Sequence, residues 1–228
     1  MHPYTSLRER LDNPGRFAVD FALLMIALAL FALAMVLSLQ SDLGANSWTV
    51  FHHGIALQTP LTLGGAGILI GLLILGTSWA LGIKPGLGTV ANMFFVGVWT
   101  DVYLEFELIP QAGWLPFQIS MLCGSALLLG FATALYIKTG FGAGPRDAFM
   151  LALTRRTNIR IGFIRWGMEI AVVTVGILLG GSFGLGTLIF AVLIGPSVDL
   201  FFNLFGIRTR RDDRPAGSLR SRLRFLPR

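Results

Sequence analysis

The chain is poor in charge and nearly devoid of cysteine. Only 13% of its 228 residues are Asp, Glu, Lys or Arg, about half the share found in soluble domains. The single cysteine, Cys123, excludes an intrachain disulfide. The adjacent pair His52–His53 has no spaced Cys, Asp or Glu around it to complete a zinc set. No P-loop, nucleophile elbow or H-E-x-x-H string occurs, so no cofactor, metal or enzymatic activity is expected. What is abundant is apolar residue and glycine: 54% hydrophobic, 28 Gly, mean hydropathy +0.71. That composition excludes disorder and argues against a water-soluble globule.

The net charge of +6 would suggest nucleic acid in a soluble chain. Its distribution argues otherwise, because the segment from Arg208 to the end holds eight Arg and two Asp, and residues 1–207 sum to zero. Nucleic acid is therefore not expected as a partner. In the tail, Leu219, Leu223 and Leu226 alternate with Arg220, Arg222 and Arg224, a small basic amphipathic stretch suited to anionic lipid.

A membrane span needs about 20 mostly apolar residues. Six such runs are present: Phe17–Leu39, Leu61–Ile83, Gly88–Leu108, Leu115–Ile137, Ile159–Leu179 and Leu185–Ile207. The first is longer than the roughly 7–15 residues of a signal-peptide core, so it is read as a retained span. With the N-terminus in the cytoplasm, all 18 basic residues fall on the cytoplasmic side or at its edge. The positive-inside rule thus predicts a multi-pass inner-membrane protein with both termini cytoplasmic.

Shifted by 98 residues, Ser41–Leu104 aligns on Thr139–Phe202 without a gap. Identities include Gly44/Gly142, Phe51/Phe149, Gly64/Gly162, Gly97/Gly195 and Asp101/Asp199, and Gly86-Leu87-Gly88-Thr89 recurs as Gly184-Leu185-Gly186-Thr187. Three spans per half mean that the second half enters from the opposite side. The expected fold is all-α: residues 17–108 and 115–207 as two inverted three-span repeats, flanked by a cytoplasmic N-terminus (1–16) and a basic tail (208–228). Secondary transporters are often built in this way. Between the first two spans of each half, segments 46–57 and 145–154 read as short helices, either interfacial or re-entrant. Asn46 or Ser47 caps one; Pro145 starts the other, with Asp147 in its first turn.

Ionisable groups inside spans are functional candidates. Asp101 and Asp199 occupy matching repeat positions, where they would bind a cation, carry protons or simply cap a neighbouring helix. Glu169 lies mid-span with Arg165 four residues earlier on the same face, so the two are expected to pair. Their repeat partners, Gly71 and Gly67, form a small-residue stripe with Gly64, expected to face the fifth span. The glycines of the two Gly-Leu-Gly-Thr strings (Gly86, Gly88, Thr89; Gly184, Gly186, Thr187) either make tight turns or leave helix N-termini open to an anion, with Arg146 and Asp147 as weaker gating candidates.

The strings Lys84–Thr89 and Gly142-Ala143-Gly144-Pro145-Arg146-Asp147, with Gly184–Asp199, resemble the YczE family of bacterial integral membrane proteins (YczE/YyaS/YitT class). The first-half counterpart Gly44-Ala45-Asn46-Ser47-Trp48 lacks the Pro-Arg-Asp triplet, so any role of Arg146 and Asp147 is not symmetric. The resemblance implies a bacterial inner-membrane location and brings no chemistry with it. The expectation is a small secondary transporter or permease-like protein of unknown substrate, with Asp101, Arg165, Glu169 and Asp199 as substrate or ion residues. The alternative is a membrane-embedded regulatory or accessory protein that transports nothing, which a dry, fully paired core would favour.

Overall fold

The computed structural model describes residues 14–142, 144–157, 159 and 161–207. The predicted N-terminal segment up to residue 13 and the basic tail, 208–228, lie outside the described residues, as does Arg160. The described chain is helical: α1 Pro14–Gln40, α2 Ser47–Gln58, α3 Leu63–Ala80, α4 Leu87–Glu105, α5 Leu115–Thr139, α6 Pro145–Thr157, α7 Ile161–Leu178 and α8 Leu185–Leu204. Five of these, α1, α3, α4, α5 and α8, are long and apolar enough to cross a membrane. α7 carries Arg165 and Glu169 and is not among the five.

α1 and α5 form the centre, with α4 packed on α1 and α8 on α5. Alanine and glycine make this contact close. Ala27, Ala32 and Ala34 of α1 and Ala126, Gly130 and Ala132 of α5 are buried, and the missing side chain of Gly130 is filled by Ser197 of α8. Without a hydrophobic drive between helices in lipid, small residues supply the van der Waals contact that holds spans together. The outward positions are large and apolar: Val192, Leu72 and Leu178 are exposed, as a lipid-facing surface requires.

The segments at 46–57 and 145–154 are helices, as expected. Asn46 caps α2 by accepting the Thr49 N–H at 3.1 Å, and Pro145 opens α6 with Asp147 in its first turn. α2 does not lie on the surface of the bundle, since Trp48, Thr49, Val50, His52 and Gly54 are all buried. Each short helix packs mainly on a long helix of the other half of the chain, α2 on α7 and α6 on α3. At the first of these contacts Gly54 and Gly176 face each other, and a Cβ on Gly54 would stand 2.8 Å from the Gly176 carbonyl oxygen.

Two backbone hydrogen bonds fix the loops that lead into α2 and α6. The Gly186 N–H donates to the Leu43 carbonyl at 2.7 Å, and the Gly88 N–H donates to the Phe141 carbonyl at 2.9 Å. Residues 43 and 141 are 98 apart, as are 88 and 186, so one bond is the other with the halves exchanged. Gly44 (φ 113°) and Gly142 (φ 122°) turn the two loops through backbone space that L side chains rarely enter. Within each Gly-Leu-Gly-Thr string the threonine hydroxyl accepts the first glycine's N–H, Thr89 from Gly86 at 3.2 Å and Thr187 from Gly184 at 3.3 Å.

A Cβ on Gly86 would lie 2.7 Å from the Phe141 carbonyl oxygen, whereas one on Gly76, within α3, meets nothing within 4 Å. Gly86→Ala is therefore expected to cost about 1–3 kcal/mol by forcing the clasp apart. Gly76→Ala should be neutral or stabilise by up to about 1 kcal/mol. Thermal melts of the purified variants in one detergent check the contrast.

Candidate functional site

The polar groups that the fold brings together lie where α2, α6 and α7 meet, beside the C-terminal end of α5. Trp48, in the first turn of α2, donates its indole N–H to Glu169 Oε1 of α7 at 3.1 Å. The guanidinium carbon of Arg146, in the first turn of α6, sits 4.1 Å from the centre of the same indole ring, a cation–π contact. His52, one turn along α2, meets Trp48 edge to face with ring centres 6.2 Å apart. On the other flank Tyr136 of α5 donates its hydroxyl to Asp147 Oδ2 at 3.1 Å.

Two features of this cluster are chemically open. None of the five N–H donors that a guanidinium carries has a hydrogen-bond or ion-pair acceptor among the described residues, although Arg146 is enclosed enough to lose much of its hydration. Burial lowers its pKa to about 10, while Glu169 and then Asp147 act to raise it, so it stays cationic near neutrality. Glu169 accepts through Oε1, and among the described residues nothing donates to Oε2. His52 is the opposite case, an uncharged ring. Burial first, and the Arg146 cation second, hold its pKa down to about 3. Its Nδ1 is buried without a hydrogen-bond partner, next to the open side of Gly67.

The predicted residues separate. Glu169 is in the cluster, with Arg146 and Asp147 beside it. Arg165 is exposed, and among the described residues no salt bridge joins it to Glu169; the carboxylate turns to Trp48 instead. The i,i+4 spacing places both on one face of α7, but α2 occupies the Glu169 end of that face. The glycine stripe also corrects the expectation. Gly64 packs on the Gly97 carbonyl and Gly71 on Met93, both of α4, and Gly67 on His52 of α2, so the stripe does not face α7.

Asp101 stands apart from the cluster. Its Oδ2 accepts the Thr62 hydroxyl at 2.6 Å and its Oδ1 the Gly64 N–H at 2.7 Å, so it closes the N-terminus of α3. Asp199 is exposed, and Arg160, the counterpart of Thr62, lies outside the described residues. The N–H groups of Gly86, Gly88, Gly184 and Gly186 all donate to oxygens of the protein. Trp48 and Tyr136 escaped sequence reasoning. One signal for Trp48 was present, because it stands 98 residues before Arg146.

Replacing Asp101 with Ala removes both acceptors at the α3 terminus and is expected to cost about 1–2 kcal/mol. Asp101→Asn, which keeps one acceptor, should recover about half of that loss. Thermal stability in detergent is the measurement.

Residues 18–203 match the family of unknown function DUF6198. An uncharacterized protein of Haemophilus influenzae is 36% identical over 183 residues, covering 80% of this chain and 83% of its own. The uncharacterized membrane protein YczE of Bacillus subtilis is 33% identical over 67% of this chain and 71% of its own. The uncharacterized protein YyaS of the same organism is 27% identical over 77% and 89%. No solved structure matches. With a family match across most of the chain and YczE among its relatives, the protein belongs to the DUF6198 family and is a YczE-family membrane protein.

Proposed function

We propose that this chain is a small secondary transporter of the bacterial inner membrane, with its substrate site at Arg146, Trp48 and Glu169. In this reading six helices span the membrane, α7 among them, as two inverted three-span repeats. α2 and α6 are re-entrant elements entering from opposite faces, and both termini are cytoplasmic. The observation that carries the reading is the Trp48–Arg146 contact. Residues at equivalent repeat positions touch only where the pseudo-two-fold axis passes between them. Transporters of this construction hold substrate at that axis, near the bilayer midplane.

Three further observations support it. The crossed backbone bonds at Leu43–Gly186 and Phe141–Gly88 are interchanged by the same 98-residue shift. Each short helix packs on the other half, and the burial of α2 suits a re-entrant helix better than an interfacial one, since non-helical backbone at membrane depth is tolerated only inside protein. The cluster also holds unused donors and an unused carboxylate oxygen, in contrast to the fully paired core that an inert scaffold would favour.

Purified protein in proteoliposomes, offered a mixed pool of small metabolites and ions with mass-spectrometric readout, tests the function. Wild type should accumulate at least one species. Arg146→Gln and Glu169→Gln should lower its rate about ten-fold or more, the loss expected for a charge-assisted contact, while Asp199→Asn has a smaller effect. Wild-type vesicles that accumulate nothing would reject transport. The topology has its own check. In a Cys123→Ala background, Gly113→Cys should react with an impermeant maleimide added to intact cells, and Lys84→Cys only after permeabilisation.

A further inference from the structure

An open groove of about 370 Å³ lies beside the polar cluster, lined by residues of α2, α3, α6 and α7. Its walls are almost wholly apolar: Trp48 and Phe51 of α2, Ile70 and Leu73 of α3, Phe149 of α6 and Ala171 of α7 among them. The groove and the cluster share one residue and adjoin through two others. Trp48 belongs to both, Phe149 is three residues from Arg146, and Val172, another lining residue, is three from Glu169. Side chains at that spacing lie on one helix face, so the two charged groups border one end of the apolar channel.

The charges decide what fits. Arg146 offers empty donors, Glu169 an empty oxygen, and Asp147 is held by Tyr136. A bare anion at Arg146 would sit close to the carboxylates of Glu169 and Asp147, which Arg146 and the exposed Arg165 offset only in part. A bare cation at Glu169 would face the guanidinium. A ligand with one group of each sign satisfies both ends at once and adds no net charge to a site of low polarity. The apolar groove then calls for a hydrophobic appendage. Its volume, about 370 Å³, lies at the lower end of small-ligand pockets, roughly 300–1,000 Å³, and accommodates one bulky side chain.

We infer that the site takes an apolar α-amino acid. Its carboxylate meets Arg146, its ammonium meets Glu169, and its aliphatic or aromatic side chain lies in the groove between α3 and α7. This rests on the transporter reading for the site's location, yet binding tests it without transport.

The test is equilibrium binding of radiolabelled leucine to the full chain in phosphatidylcholine nanodiscs, with three competitors that each lack one element. Isocaproate lacks the ammonium, isopentylamine the carboxylate and glycine the side chain. Leucine should bind saturably, and each competitor should displace it about ten-fold less well or worse than unlabelled leucine. Arg146→Gln should weaken binding by a similar factor, and Arg146→Lys, which keeps the charge without the fork, by less. Should Arg146→Gln fail to fold, Ala171→Phe, which fills the groove away from the charges, is expected to reduce leucine binding with no change in thermal stability. Absence of saturable binding, or displacement by isocaproate or isopentylamine as effective as by leucine, overturns the inference. If leucine fails to bind while proteoliposomes still accumulate another solute, the amino-acid assignment falls and the transporter reading stands. If leucine binds while no species is taken up, the amino-acid site stands and the transporter reading falls.

Discussion

Backbone groups in a bilayer have no water to turn to, so every break between helices needs partners within the protein. On the re-entrant reading proposed above, the loops before α2 and α6 are the places where this chain faces that requirement most severely. Each solves it by handing a carbonyl to the N-terminus of a long helix from the other half, Leu43 to Gly186 and Phe141 to Gly88. The exchange is eased because the second residue of each receiving helix is a glycine. A Cβ on Gly186 would stand 2.7 Å from the Leu43 carbonyl oxygen, and one on Gly88 about as near, 3.1 Å, to that of Phe141. These clasps fix where α2 and α6 start. The start points fix Trp48 and Arg146, both in first helical turns, and so the polar cluster depends on backbone contacts made outside it.

Much of this was legible in the sequence, but only one side of each contact. Five of the six predicted spans follow from apolar runs, and the two short helices from Asn46 and Pro145. The recurring glycines announced close packing without naming the partner. Alignment pairs residue 88 with 186 and 43 with 141, whereas the contacts cross, 88 to 141 and 186 to 43. A repeat read from sequence tells which residues are equivalent, and only the folded chain tells which ones touch. The stripe Gly64, Gly67, Gly71 went astray for that reason. It aligns with Arg165 and Glu169, yet it packs against α4 and His52.

The acidic residues divide on the same principle. Asp101 and Glu169 were both visible as charges in apolar surroundings, but periodicity cannot separate a cap from a site. Asp101 becomes a cap once the start of α3 is set beside it, with the Gly64 N–H 2.7 Å away. Glu169 joins the polar cluster because its partner is an indole from a short helix 121 residues distant. A tryptophan in an apolar chain carries no signal of that kind.

The inequality of the two halves at Trp48 and Arg146 has a physical cause. On the inverted-repeat reading proposed above, the residues nearest the pseudo-axis are the ones that meet their own counterparts. Two arginines there would face each other as like charges at low dielectric, and the cost rises steeply as water is excluded. Two tryptophans would pack well and leave the centre without a charge. One of each converts the meeting point into a cation–π contact, worth about 2 kcal/mol when desolvated, and keeps a guanidinium in the interior with its donors unspent. On that reading the missing Pro-Arg-Asp triplet in the first half fits the demand of the axis itself: a position that touches its own copy is where identical halves are least tolerable.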